Sequence, residues 1–344
     1  MRSLLRYVGV LAGLSVLAAA QPPAYRPVAR MLYNVKVESP LRYENLTIFP
    51  LTGGGAGSTS YVMLDAAITS GTVKVQEKDG GQVNTVRVRN DGKTCVFGMA
   101  GEIISGARQD RMLQDDILLP PGSGWVDVPV FCTEHGRWEG SSTEFGTRGQ
   151  VVAGRVREKA AKTQSQTEVW AEVDAARADL RVETPTRAFA KVYDAPRVQA
   201  KVEAYADKLG DLPDLLPGAQ GVVVAVGSRL VCVDVFGSTS LFRKMWPKLL
   251  RSYVIDAVSQ QPSGRLRTQD VQQFMKTAAR AEVVAQPTVG AGSLCRLSAG
   301  NASGSALAFG REIVHLDLFP NGGGMREDSG NTPRLEFRRQ KSQR

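Results

Sequence analysis

The sequence predicts an α+β protein: a mostly-β N-terminal half, central helices, and a C-terminal helix-plus-sheet section, packed as one large domain. Three observations predict it. Short runs that alternate side-chain type, separated by glycine-containing turns, fill most of residues 34–132. Two central stretches, 166–180 and 197–209, repeat apolar residues every three to four positions. A longer helical stretch near 241–257 is followed by four further strand-like runs. A chain of 344 residues has ample material for a sizeable core.

The first residues read as an export signal. Arg2 and Arg6 give a positive end, Val8 to Leu17 is apolar, and Ala18-Ala19-Ala20 offers a small-residue cleavage site before Gln21. That apolar run is shorter than the roughly 20 residues a membrane span needs, and no later run is longer, so the mature chain carries no expected span. Residues 1–20 are therefore the signal peptide and the localisation secreted or periplasmic. Residues 21–32, with Pro22, Pro23 and Pro27, read as an extended lead-in.

Asn34–Glu38 and Leu46–Leu51 read as strands, Thr52–Ser60 as a glycine-rich loop, and Tyr61–Ser70 as a short helix stopped by Gly71. Thr72–Gln76 and Thr85–Arg89 alternate as half-buried strands, with the turn signals Asp79-Gly80-Gly81 and Asn90-Asp91-Gly92 beside them. Strands follow at Cys95–Met99, Met112–Leu119 and Trp125–Cys132. The polar segment Glu139–Ser165 reads as loop or exposed helix. In the helix Gln166–Leu180, Val169, Trp170, Val173, Ala176 and Leu180 share one face. A second helix fits Arg197–Leu209. Gly221–Val226 and Leu230–Val235 form a hairpin around Gly227-Ser228-Arg229.

Leu241, Phe242, Met245, Trp246, Leu249 and Tyr253 then line one helical face and read as core. Pro247 predicts a kink there, or a new helix start. On the flanks, Asp234, Lys248 and Asp256 could be ligands, but such charges are more often solvated or capping. A helix at Thr268–Ala278 precedes strands at Ala281–Ala285, Ser293–Leu297, Ser305–Phe309 and Ile313–Leu318. Residues 320–344 read as a disordered tail in which Arg334, Arg338, Arg339, Lys341 and Arg344 hold much of the net charge of +9. With few aromatics among them, these charges do not indicate specific nucleic-acid recognition.

The densest chemistry lies at 101–111, Gly-Glu-Ile-Ile-Ser-Gly-Ala-Arg-Gln-Asp-Arg. Glu102, Arg108, Gln109 and Arg111 suit a pocket for an anion or sugar phosphate, because guanidinium forks match such groups. They equally suit a Glu–Arg network that pins a bulge between two strands. Glu134, His135, Arg137 and Trp138 follow the strand that ends near Cys132. If the two strand ends adjoin, Glu102 and Glu134 could divide acid and base roles. The alternative is a loop packed by Trp138 and held by Arg137. Cys132 and His135 are only two soft ligands, too few for structural zinc. The glycine runs at 53–57 and 322–324 lack the Lys-Ser/Thr of a phosphate loop. Cys95, Cys132, Cys232 and Cys295 could pair within halves or stay as buried thiols.

Taken in order, GEIISGARQDR at 101–111, CTEHGRW at 132–138, QTEVWAEV at 166–173, DVFGSTSLFRKMWPKLLRSYVIDA at 234–257 and VHLDLF at 314–319 resemble a known family. It is the ARG and rhodanese-phosphatase-superfamily-associated protein domain, ARG standing for ADP-ribosylglycohydrolase. The resemblance covers residues 33–319. It implies a single α+β domain and a genomic association with ADP-ribose and NAD-linked functions, without supplying catalytic residues. Three functional expectations follow. The first is a binding domain for a small anionic or glycosyl-containing ligand. The second is a hydrolase of an ADP-ribose-like glycosidic bond that uses Glu102 and Glu134. The third is a structural or protein-interaction module of the cell envelope. The sequence names no cofactor and no oligomeric state.

Overall fold

A computed structural model describes residues 25–55, 57–137, 142–260 and 263–322. The expected signal segment, 1–20, and residues 323–344 of the expected tail lie outside the described residues. In chain order the elements are α1 (Tyr25–Asn34), β1 (Lys36–Val37), β2 (Leu41–Tyr43), β3 (Leu46–Thr52), β4 (Val62–Met63), α2 (Leu64–Thr69), β5 (Val73–Glu77), β6 (Thr85–Asn90), β7 (Val96–Gly98), β8 (Glu102–Gly106), β9 (Arg111–Leu113), β10 (Ile117–Leu119), β11 (Trp125–Cys132) and β12 (Glu144–Val151). Then come α3 (Gly154–Thr163), α4 (Gln166–Asp179), a 3₁₀ turn (Phe189–Asp194), α5 (Pro196–Leu209), α6 (Leu212–Leu215), β13 (Ala219–Val226), β14 (Arg229–Phe236), α7 (Thr239–Ser259), α8 (Thr268–Ala278), β15 (Glu282–Gln286), β16 (Ser293–Ser298), β17 (Ala302–Phe309) and β18 (Glu312–Pro320). The α+β class is as expected.

The strands form three sheets. A nine-stranded antiparallel sheet runs β1-β3-β13-β14-β18-β17-β16-β15, with β2 also on β3. Strands β11-β6-β5-β12-β8-β9 close a six-stranded barrel, β9 returning to β11. A small sheet, β10-β7-β4, completes the set. The large sheet is covered on both faces. One core packs α5 and α7 against it; the other includes Val28, Met31 and Leu32 of α1 with Val271, Phe274 and Met275 of α8. Burial on both faces explains why β13 and β14 are apolar almost throughout rather than alternating. In the barrel, Val73, Val75, Val86 and Val88 alternate inward, as strands with one buried face require.

Helix α7 binds these parts together. Ser238 caps it, its Oγ accepting from Leu241 N at 3.2 Å. Phe242, Met245, Trp246, Leu249 and Tyr253 are buried, as their spacing requires. Trp246 also donates its indole N–H to Gly210 O at 2.9 Å, which keeps that polar atom satisfied.

Several elements differ from expectation for identifiable reasons. Residues 25–32 of the expected extended lead-in are helical. Pro27 lies in the first turn, where the N–H has no intrahelical partner, so proline costs little. Pro247 starts no new helix: α7 is one element from Thr239 to Ser259. Tyr61–Ser70 splits into β4 and α2. The single run Met112–Leu119 divides at Gln114-Asp115-Asp116, placing β9 in the barrel and β10 in the small sheet. The polar segment 139–165 contains a barrel strand, β12, and a partly buried helix, α3. The tail boundary moves outward, since β18 reaches Pro320. All four cysteines are free thiols.

Trp246→Ala should lower unfolding free energy by about 3–5 kcal/mol, and Trp246→Phe by clearly less. Chemical denaturation measures both. An unchanged midpoint for Trp246→Ala would contradict its place at the centre of this core.

Candidate functional site

Residues 101–111 form the β8–β9 hairpin of the barrel, and most of their polar groups turn inward. Glu102 is 3% exposed. Its Oε2 accepts from Met99 N at 2.8 Å, and its Oε1 pairs with Lys248 of α7. Lys248 also reaches Asp65 at 3.1 Å. Burial alone would lower the Lys248 pKa, but Glu102 and then Asp65 raise it, so the ammonium stays charged. Arg111 is completely buried. It donates to Gln109 O at 3.0 Å, lies 3.6 Å from Glu77 and stands over the Phe145 ring. Gln109 is buried beside it, and the Arg108 backbone N–H donates to Glu77 at 3.2 Å. The expected Glu102–arginine network is not formed; Glu102 uses a lysine from a distant helix.

Glu134 sits at the other end of the hairpin. Arg137 donates to it twice, from Nε at 3.0 Å and Nη2 at 2.7 Å. The same arginine donates to Ala107 O at 2.6 Å, and Asp110 N donates to Glu134 at 3.0 Å. Burial would raise the Glu134 pKa, but the bonds from Arg137, Thr186 and Asp110 N–H outweigh it and lower it. Glu134 and Arg137 therefore clamp the hairpin tip. Glu102 and Glu134 are held by different cations, Lys248 and Arg137. His135 is exposed and stacks on Trp170, ring centroids 4.3 Å apart. Trp138 lies outside the described residues. Burial pushes the Cys132 thiol up to about 11, so it is not a ready nucleophile at neutral pH.

A larger charged network lies where the barrel, the large sheet and α7 meet, and its residues were not among the expected site. Asp234 of β14 is fully buried. It accepts from Arg157 of α3 at 3.0 and 2.6 Å, from the Tyr253 hydroxyl at 2.6 Å, and contacts His315 Nε2 at 3.1 Å. His315 Nδ1 lies 2.8 Å from Asp116, whose other oxygen accepts from Ala100 N at 2.9 Å. Asp317 is 3.5 Å from Arg157 and accepts from Ser305 N and Oγ at 2.8 and 3.0 Å. Burial would lower the His315 pKa, but Asp116 and then Asp234 push it up to about 10, making it an imidazolium at neutral pH. Burial would raise Asp234, yet Arg157 and His315 hold it well below the usual carboxylate range. The signal in the sequence was a charge inside an otherwise apolar strand: Asp234 in VCVDVF, His315 and Asp317 in IVHLDLF. Asp256, read as a solvated or capping charge, does cap a helix, but a distant one: it accepts from Gly154 N at 2.6 Å at the start of α3. Burial pushes it up to about 6.

The cleft beside this network is narrow. Arg157, Asp317 and Ser305 line it together with Arg296 and Asp115, which pair at 2.8 Å, and it has room for roughly one water molecule. A much larger groove of about 700 Å³ lies between the end of α1, β1 and α8. Leu32, Val35, Val37 and Met275 give it an apolar floor, Tyr33 is 85% exposed, and Lys36, Lys276 and Arg280 supply three cations. No carboxylate lines it, and the three cations make no hydrogen bond or ion pair among the described residues.

Fold and network together define an α+β domain in which a closed barrel and a large two-sided sheet share one charged core. Residues 34–319 match the family model of the ARG and Rhodanese-Phosphatase-superfamily-associated Protein domain, and the chain belongs to that family. No curated protein and no solved structure matches the chain. Asp234 and Tyr253 lie in the family-like segment 234–257, and His315 and Asp317 in 314–319, so these two segments meet at the buried network.

The His315 pKa lies above its ordinary value of 6.5. Its contribution to stability is therefore fully present below pH 6.5 and is lost as pH rises through about 10. Unfolding free energy measured from pH 6.5 to 10 should fall more steeply for the natural protein than for His315→Gln. NMR of the folded chain at pH 8 should show both ring N–H groups protonated. Equal slopes together with a neutral ring would overturn the assignment.

Proposed function

We propose that this domain binds a small anionic ligand, with the groove between α1, β1 and α8 as its site. The observation that supports this reading is three cations without carboxylate partners around an apolar floor. Ligand pockets of roughly 300–1,000 Å³ commonly combine an apolar lining with a few placed polar groups. Lys36, Lys276 and Arg280 would meet phosphate or carboxylate, while Tyr33 and Met275 would cover a ring or a sugar face. The segments at 101–111 and 132–137 then serve as scaffold, because their charges are already spent on one another or on Lys248 and Glu77. The family's name links it to ADP-ribosylglycohydrolases, which makes ADP-ribose the first ligand to try. We also propose that the chain acts outside the cytoplasm, on the pattern Arg2, Arg6, Val8–Leu17 and Ala18–Ala20.

Thermal shift with ADP-ribose, AMP and uncharged ribose tests the groove. A ligand at a hundred times its Kd stabilises by about 2.7 kcal/mol, enough to raise Tm measurably. The anionic ligands should shift Tm, ribose should not, and Lys276→Glu/Arg280→Glu should abolish the shift. A double variant that responds like the natural protein would remove the groove from consideration. For export, N-terminal sequencing of the mature chain should begin at Gln21; an intact Met1 in exported material would contradict the cleavage.

A further inference from the structure

Arg30 and Arg311, both exposed, line a separate cleft of about 220 Å³ beside α1. Arg30 lies on α1 and Arg311 in the turn between β17 and β18, so only the tertiary fold brings them together. Neither has a hydrogen bond or ion pair among the described residues. The facing wall is backbone: Gly54, Gly55 and Gly57 of the glycine-rich loop, and Gly237 at the end of β14.

Hydrogen bonds hold the described residues of that wall in place. The Gln220 side chain, 5% exposed, accepts from Gly55 N at 3.0 Å and donates back to Gly55 O. Gly57 N donates to Gly237 O at 3.0 Å. A Cβ on Gly55 or Gly57 would stand 2.8 or 2.9 Å from that same oxygen, and one on Gly237 would stand 2.0 Å from Ile313 O. Glycine at these positions lets three backbone segments touch, and the Glu312 carboxylate lies against the wall, its Oε2 3.0 Å from where a Gly57 Cβ would stand. Helix α7 starts at Thr239, two residues beyond Gly237, so its positive end lies close by. Glu312 is the single carboxylate of the lining.

We propose that this cleft is a second binding site, for a tetrahedral oxyanion: inorganic phosphate, or the terminal phosphate of a phosphomonoester. Arg30 and Arg311 grip the anion from one side, as guanidinium forks do. The glycine wall allows close approach from the other. Glu312 opposes the anion and holds the net charge of the charged lining residues to one positive. The site does not depend on the groove proposed above, and its variants are different residues.

Calorimetric titration of the full chain with inorganic phosphate, and separately with glycerol phosphate, at constant ionic strength in chloride, tests this. Each anion should bind at one equivalent. Arg30→Gln or Arg311→Gln should weaken binding about tenfold, as loss of a charge-assisted bond does. Glu312→Gln should tighten it, and Tm without ligand should hold for all three. Tighter binding of the ester assigns the site to a phosphomonoester, and tighter binding of inorganic phosphate assigns it to the free ion. Absence of saturable binding at millimolar anion overturns the proposal, as does binding that survives both arginine variants. Binding lost in Lys276→Glu/Arg280→Glu but kept in the arginine variants also overturns it, by moving the anion to the groove.

Discussion

A single buried carboxylate sets the terms for much of this fold. Asp234 sits in the middle of the large sheet with no exposed surface. A lone charge there would be prohibitively costly, so it has to be neutralised by partners at hydrogen-bond distance. Those partners come from α3 (Arg157), α7 (Tyr253) and β18 (His315). His315 in turn holds Asp116, in the link between barrel and small sheet. Helix, sheet and barrel thus have a common point that tolerates little displacement. Breaking such a pair from one side costs about 3–5 kcal/mol, because the other charge is stranded in the interior.

The same logic supports our reading of the densest polar segment as scaffold. Lys248 enters from α7 to meet Glu102, tying that helix to the first residue of β8. Arg137 reaches back over the β8–β9 turn to Glu134 and two backbone carbonyls, Ala107 and Gly106. Charges committed this fully inside the protein have little left to offer a ligand. Among the described residues, Lys36, Lys276 and Arg280 line one cleft, and Arg30 and Arg311 another, without an ion pair. Both clefts lie against α1, the helix that a proline-containing lead-in concealed.

Several elements were legible in the chain because they depend on neighbours only a few residues away. The apolar face of α7, the helices α4, α5 and α8, the hairpin β13–β14 and the strand β11 follow from three-to-four or two-residue spacing. Elements whose partner is remote were hidden. Strand β12 is mostly polar or glycine, with only Phe145, Gln150 and Val151 buried, so its alternation is faint. The division of Met112–Leu119 is marked only by the polar Gln114-Asp115-Asp116, and nothing local says that the two halves join different sheets. In α1 the helical signal lies in Val28, Met31 and Leu32, but Pro22, Pro23 and Pro27 mask it.

The sequence by itself determined the α+β class, most of the elements, the aromatic core of α7 and the family, all of which rest on local periodicity or on ordered motifs. Only the tertiary structure decided which charges meet. Glu102 and Lys248 are 146 residues apart, Asp234 and Arg157 are 77, and Asp116 and His315 are 199. A buried charge must have a partner, but nothing local names it, because pairing is set by the folded distance between side chains. For that reason residues 101–111 could be recognised as chemically dense, while their partners in α7 and the 132–137 loop are set only by the fold.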